Sequence, residues 1–400
     1  MAVVGNDGSL SLIDATGRSV VLATSADATF AFPVWSPDGS RIAAIRTGSE
    51  NLILVFDARR ALAGPSVEPV VIFRSTAINP FYLSWAPDGR AVSFLADQSG
   101  VLSLRIASAD GSAPLDGSGP GAKIRSGNPL YFDWVARDRL LAHVGSGPDE
   151  FLGEIGLNGA PAGRAIAAPG IFRPAVVSPD RKYFGYVRAG SAGSEDVVVA
   201  TRDGSREHTM PVFGASALTF SPTGDTIAAL GFSDSASGSF QFPVGPVRVM
   251  DGAGKIRTLL DGTSVGFWWS PDGATIAVLR VQPAAGGTAT GSQAPTPSPG
   301  LFGTPLPSPT SPPPEVRLLF VDVASGAVLS QPVVHPGQLF IDQLLNYFDQ
   351  YALSHRLWAP DSSSFLFPEV DQAGTTTIAL MHPNGDPPGM IDGAIGFWSP

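Results

Sequence analysis

The chain has 400 residues, 44% of them apolar and only 15% charged, with a formal net charge of −10. Of its 25 basic residues only Lys123, Lys182 and Lys255 are lysines, and the arginines are scattered, so no basic stripe exists to bind nucleic acid. Cysteine is absent, which excludes disulfides, thiolate metal sites and cysteine nucleophiles, and no apolar run reaches the roughly 18–20 residues that span a bilayer.

From the N-terminus, Met1–Asn6, Ser9–Asp14 and Arg18–Thr24 predict three short strands joined by Gly- and Asp-containing turns. Then a phrase begins that recurs along the chain. VWSPDGSRIAAI from Val34 predicts a strand, a tight turn and a second strand: Pro37 presets φ, Asp38 favours the next corner, and Gly39 takes the left-handed position. A third strand follows at Asn51–Ala58 and a shorter fourth at Pro69–Ser75. The phrase returns as SWAPDGRAVSFL from Ser84, followed by a third strand at Val101–Gly111, and in decayed form as DWVARDRLLAHV from Asp133. VVSPDRKYFGYV from Val176 is followed by a strand at Glu195–Gly204, TFSPTGDTIAAL starts at Thr219, and Lys255–Gly262 is an outer strand before WWSPDGATIAVL from Trp268. LWAPDSSSFLF starts at Leu357, and GAIGFWSP ends the chain at Gly393–Pro400.

Six of the seven tryptophans, Trp35, Trp85, Trp134, Trp269, Trp358 and Trp398, hold one place in this phrase. The first three lie 50 and 49 residues apart. Four antiparallel strands at that period describe a propeller blade, each burying its faces on its neighbours. The expected fold is therefore all-β, a single closed β-propeller over residues 1–400. Counting first strands at Trp35, Trp85, Trp134, Val177, Phe220, Trp269, Trp358 and Trp398 gives eight blades, or seven if the Trp134 copy is not a blade of its own. The N-terminal strands lack a first strand and the C-terminal strand lacks its followers, so Gly393–Pro400 is expected to complete the N-terminal blade and close the ring.

The 89 residues between Trp269 and Trp358 exceed one repeat. Residues 283–314, rich in Pro, Ser, Thr and Gly, read as a flexible insertion. Gln338–Ser354 reads as an inserted amphipathic helix: Phe340, Leu344, Tyr347, Phe348 and Tyr351 fall on one side, and Asp342, Gln343, Asn346, Asp349 and Gln350 on the other. A helix between blades is expected on a face or the rim. Two readings stand: the aromatic face covers the propeller's own surface, or Phe340 and Leu344 pack on the propeller while Tyr347, Phe348 and Tyr351 are the candidate partner-binding residues.

The WSPDG…IA phrase resembles the repeat of TolB-type, WD-repeat-like propellers, also found in the propeller domains of prolyl-oligopeptidase-like enzymes. The resemblance covers nearly the whole chain and implies a fold; it implies little about function, since such repeats serve scaffolds, receptors and substrate gates alike.

Catalytic signals are weak. GTSVG at Gly262–Gly266 matches a nucleophile elbow in letters, but it joins two strands and not a strand to a helix. His143, His208, His335, His355 and His382 lie in different repeats without metal-ligand spacing, and Asp38, Asp88, Asp180, Asp272 and Asp361 each sit alone in a turn. No catalytic, cofactor or metal residue is assigned. The expected function is protein–protein recognition or a structural role in a larger assembly, with a protein partner and no direct membrane insertion. Two alternatives stand beside it: a hydrolase or lyase with its site in the central channel, which metal analysis and an activity screen would reveal, and the sensor domain of a membrane-anchored protein. MAVVGNDG has neither a basic nor a long apolar leader region, which allows a cytoplasmic protein or a missing leader. The Pro/Ser/Thr insertion favours an extracytoplasmic location.

Overall fold

The computed structural model describes residues 1–24, 27–64, 68–112, 121–145, 150–163, 165–168, 174–191, 193–232, 243–282, 315–371 and 373–400. The 283–314 insertion lies outside the described residues.

Among the described residues, alternating and wholly apolar runs form antiparallel strands gathered in six sheets. Thr29–Trp35, Arg41–Thr47, Asn51–Asp57 and Val70–Ser75 make one four-stranded sheet in chain order; Asn79–Trp85, Ala91–Gln98, Val101–Ser108 and Ala122–Ser126 make the next. Leu130–Ala136, Arg139–Val144 and Phe151–Gly156 form a three-stranded sheet whose outer edge, among the described residues, meets the bridges Leu152–Ala167 and Ile155–Pro161. A ten-stranded sheet follows because two strands are fourteen residues long. Glu207–Phe220 pairs through its first half with Glu195–Thr201 and through its second with Ile227–Phe232, and Ile256–Trp269 repeats the device. Each is thus the outer strand of one repeat and the inner strand of the next. Phe365–Val370, Thr376–Met381 and Gly389–Asp392 form the sixth sheet, with Trp358 bridged to Phe365 at its inner edge.

The chain ends meet as the sequence predicts. Ile395–Phe397 pairs antiparallel with Ala2–Val4, Ala2 opposite Phe397, and Leu10–Ile13 and Ser19–Ala23 complete that sheet. The repeat pattern does not predict the short helix at Ala58–Ala63, capped by the Asp57 carboxylate accepting from the Arg60 N–H at 2.9 Å.

The turn chemistry accounts for the recurring Ser-Pro-Asp-Gly. Ser36 Oγ donates to Asp38 Oδ1 at 2.7 Å and accepts from the Arg41 N–H at 2.9 Å, while Asp38 Oδ1 also accepts from the Ser40 N–H. The same arrangement recurs at Ser178–Asp180 and Ser270–Asp272. In the decayed copies Arg181 and Ser362, both at φ 61°, occupy the left-handed position that Gly39 fills elsewhere.

Five of the six repeated tryptophans fasten their repeat to the one before, whereas the Trp398 indole has no hydrogen-bond partner among the described residues. Trp85 Nε1 donates to the carbonyl of Val34, Trp269 Nε1 to that of Thr219, Trp358 Nε1 to that of Trp268 and Trp35 Nε1 to that of Phe397. Every acceptor is the residue just before the preceding repeat's Trp position. Trp134 uses a relay: its Nε1 donates to Ser93 Oγ at 3.0 Å, and that hydroxyl donates to the Ser84 carbonyl, the equivalent acceptor, at 3.0 Å. Where Val177 replaces tryptophan, its backbone N–H donates instead to the Asp133 carboxylate at 2.8 Å. Ser93 is fully buried, so Ser93→Ala should strand the Trp134 donor and cost about 1–3 kcal/mol. Denaturant titration tests this, and an unchanged midpoint would show that the relay carries no stability.

Candidate functional site at the axis of the repeats

The inner strands converge on Gln338–His355, and there the sequence reading needs correction. This segment is not a regular helix on a face or the rim. Phe340–Leu344 is a π-helical turn, Leu345–Tyr347 a 3₁₀ turn and Phe348–Tyr351 a single α-turn, and together they form a plug packed against Phe32, Tyr82, Phe267 and Phe367 of different repeats. The changing turn size breaks the 3.6-residue phase on which an amphipathic face depends. Asp349 and Gln350, expected on the wet side, are therefore buried.

The three candidate partner-binding residues separate. Phe348 is buried edge-on against Phe267 and Trp268, at ring distances of 5.2 and 5.6 Å. Tyr351 is buried too, stacked on Phe32 at 5.6 Å and edge-on to Tyr82 and His355, each at 5.2 Å. Phe348 is shut away from any partner in this arrangement, while Tyr351 meets solvent only where it lines the cavity described below. Tyr347 alone stays exposed, at 40%. Phe340 and Leu344 are buried as expected, Phe340 against Trp268 and Phe367.

A simple pattern sets which side the plug occupies. Three residues before each repeat's Trp position stand Phe32, Tyr82, Tyr131, Pro174, Ala217, Gly266, His355 and Ile395. Phe32 and Tyr82 reach Tyr351 of the plug from this position, and at Ala217 and Gly266 the small side chains let the plug come close. A Cβ on Gly266 would lie 3.1 Å from Leu345 and 2.9 Å from Trp268. Phe32 and Tyr82 hold φ of 52° and 46° at register shifts in their strands. Left-handed backbone at an aromatic residue costs roughly 1–2 kcal/mol, strain that aims both rings at Tyr351.

Buried polar groups cluster beneath the aromatic layer. The Tyr82 hydroxyl donates to the Gln350 carbonyl at 2.9 Å, and Asp349 Oδ1 accepts from the Gln350 N–H. Desolvation raises the Asp349 carboxyl to about 6, opposed chiefly by the N–H of Gln350. Desolvation holds the buried His355 at about 3, so its ring is neutral. Because the folded value for Asp349 lies above its unfolded value, its contribution to stability is present below about pH 4 and fades as pH rises through 6. His355 acts in the opposite sense, its contribution being lost as pH falls from about 6.5 towards 3. Asp349→Asn isolates the first effect. Between pH 4 and 7 its stability relative to the parent should rise by up to about 3 kcal/mol; urea midpoints that track each other across that range would refute it.

A cavity of about 370 Å³ opens between the plug and the inner strands. Phe32, Phe81, Tyr82, Tyr347 and Tyr351 line it with Leu95, Leu102 and Leu130, and Asp342, Gln343 and Gln350 supply its polar atoms. Sequence reasoning missed this pocket; its signal was the run of aromatics three and four residues before successive tryptophans. The GTSVG match at Gly262–Gly266 lies inside the Ile256–Trp269 strand, with Ser264 buried. Among the described residues no three His, Asp or Glu side chains gather as metal ligands.

Neither a protein-family model nor a curated protein matches this chain. Solved structures do. A dihydro-heme d1 dehydrogenase, NirN, in complex with DHE, is 14% identical over the whole of this chain and 74% of its own length, with a TM-score of 0.56. One of two structurally characterised prolyl endopeptidases is 10% identical over 91% of this chain, with a TM-score of 0.54, and the present chain spans about half its length, 49%. A TolB from Acinetobacter baumannii is 13% identical over 98% of this chain and 64% of its own, at a TM-score of 0.40 that supports no argument. At these identities the likenesses show a fold alone, that of a β-propeller.

Proposed function

We propose that the chain is an eight-bladed, closed propeller acting as a non-catalytic recognition module or structural subunit for a protein partner. Closure draws support from the Ile395–Phe397 strand paired with Ala2–Val4, and from the Trp35 indole donating to Phe397. The observation that carries the functional reading is the filled axis: Phe348, Asp349, Gln350 and Tyr351 are all buried there. A substrate would have to displace them to reach a catalytic centre in the channel, so recognition falls to the open mouth around Tyr347. Among the described residues no helix is long and apolar enough to cross a membrane. We place the protein outside the cytoplasm, a reading supported by the Pro/Ser/Thr-rich insertion.

A photo-crosslinking residue at position 347, expressed at native level, tests the proposal against one at position 101, an exposed strand position elsewhere. A discrete protein adduct from position 347 and none from position 101 is the expected result. No adduct from 347, together with turnover in a hydrolase screen of the purified protein, would favour the catalytic alternative.

A further inference from the structure

We propose that the cavity at the Tyr347 mouth is a binding site for an organic cation, a substituted ammonium or guanidinium carried on an apolar stem. Five aromatic rings line it, and among the described residues no lysine, arginine or histidine does. The faces of phenyl and phenol rings carry negative potential, so such an enclosure favours a desolvated cation over a neutral group of the same shape. Asp342 supplies a formal negative charge at the same wall. Its Oδ1 accepts from Gln338 Nε2 at 2.8 Å, which holds the carboxylate in place without neutralising it. Asp342 belongs to the π-helical turn Phe340–Leu344, a form that recurs at functional sites because it redirects side chains.

Two further observations point to a ligand. Gln350 lines the cavity and is only 4% exposed, yet its Nε2 has no hydrogen-bond partner among the described residues. A buried donor of this kind is costly unless something accepts from it. That nitrogen is out of reach of solvent, so an oxygen acceptor on the ligand would satisfy it only as the Gln350 side chain turns into the cavity. The left-handed backbone at Phe32 and Tyr82 is the other observation, since both strained residues turn their rings into this wall. The inference concerns the chemistry of the pocket and stands whether the cation arrives as a free amine or as a side chain of the proposed partner.

Choline and 3,3-dimethylbutan-1-ol share a shape and a hydroxyl acceptor and differ in charge. Calorimetric titration of the full chain should show choline binding roughly tenfold more tightly. Nα-acetylarginine amide is the surrogate for a partner's side chain, and whichever of it and choline binds more tightly identifies the source of the cation. Tyr347→Ala should abolish binding, Tyr347→Phe should retain it, and Asp342→Asn should weaken choline about threefold while leaving the neutral alcohol unchanged. Equal affinity for choline and the alcohol would overturn the cation assignment. No binding by any of the three probes would overturn the site, with the crosslinking result at position 347 left to judge the partner reading separately.

Discussion

Deleting Gly393–Pro400 is expected to abolish cooperative folding and leave an aggregating chain. Those eight residues supply the strand opposite Ala2–Val4, and the Ala394 N–H donates to the Val4 carbonyl at 2.8 Å. They also supply the carbonyl that receives the Trp35 indole, so the deletion frees the anchor of the following repeat. Phe397 packs on His355 at 4.8 Å, and Val3 is buried with Leu366 and Ile378. Two repeats would therefore lose a flank at once, and the Ala2–Val4 edge would stand open to pairing with other chains. In a repeat architecture such a loss spreads along the interfaces. Circular dichroism on heating and light scattering would follow it. A truncated protein that melts within a few degrees of the parent would sink both the closure and the count of eight.

Much of this was legible because one residue type did one job. A tryptophan followed by Ser-Pro-Asp-Gly fixes a strand end, a turn and, through its indole N–H, a bond to the preceding repeat. The pairing of the chain ends followed from strands left without partners. Less legible was the axis. The helical reading of Gln338–Ser354 assumed one dry and one wet side, whereas this segment has strands around most of its circumference. Asp349 and Gln350 then become buried, and the periodicity of Phe340, Leu344 and Phe348 no longer reports a single face. The residues that receive the plug were visible as small side chains at Ala217 and Gly266 among large ones at Phe32, Tyr82 and Tyr131. Their meaning requires knowing that this position points inward. The Ser93 relay could not be read at all, since a serine in a strand carries no sign of the indole it meets.

The plug makes a quantitative claim that separates neighbours in sequence. Phe348→Ala should cost about 3–5 kcal/mol, because the ring is 1% exposed and its removal opens a cavity that Phe267 and Trp268 cannot fill. Tyr347→Ala, one residue earlier, should change stability by no more than about 0.5 kcal/mol, since its ring faces the open mouth at 40% exposure. Gly266→Val approaches the same contact from the strand side, where even a Cβ lies too close to Trp268 and Leu345. It should destabilise by about 1–3 kcal/mol through overpacking. Pairing it with Leu345→Ala should recover part of that loss, because Leu345 is one of the atoms in the way. Urea denaturation of the four variants measures all of this in one series. If Phe348→Ala and Tyr347→Ala prove equally mild, and Leu345→Ala rescues nothing, the segment is not seated on the axis and the filled-channel argument against catalysis there falls with it.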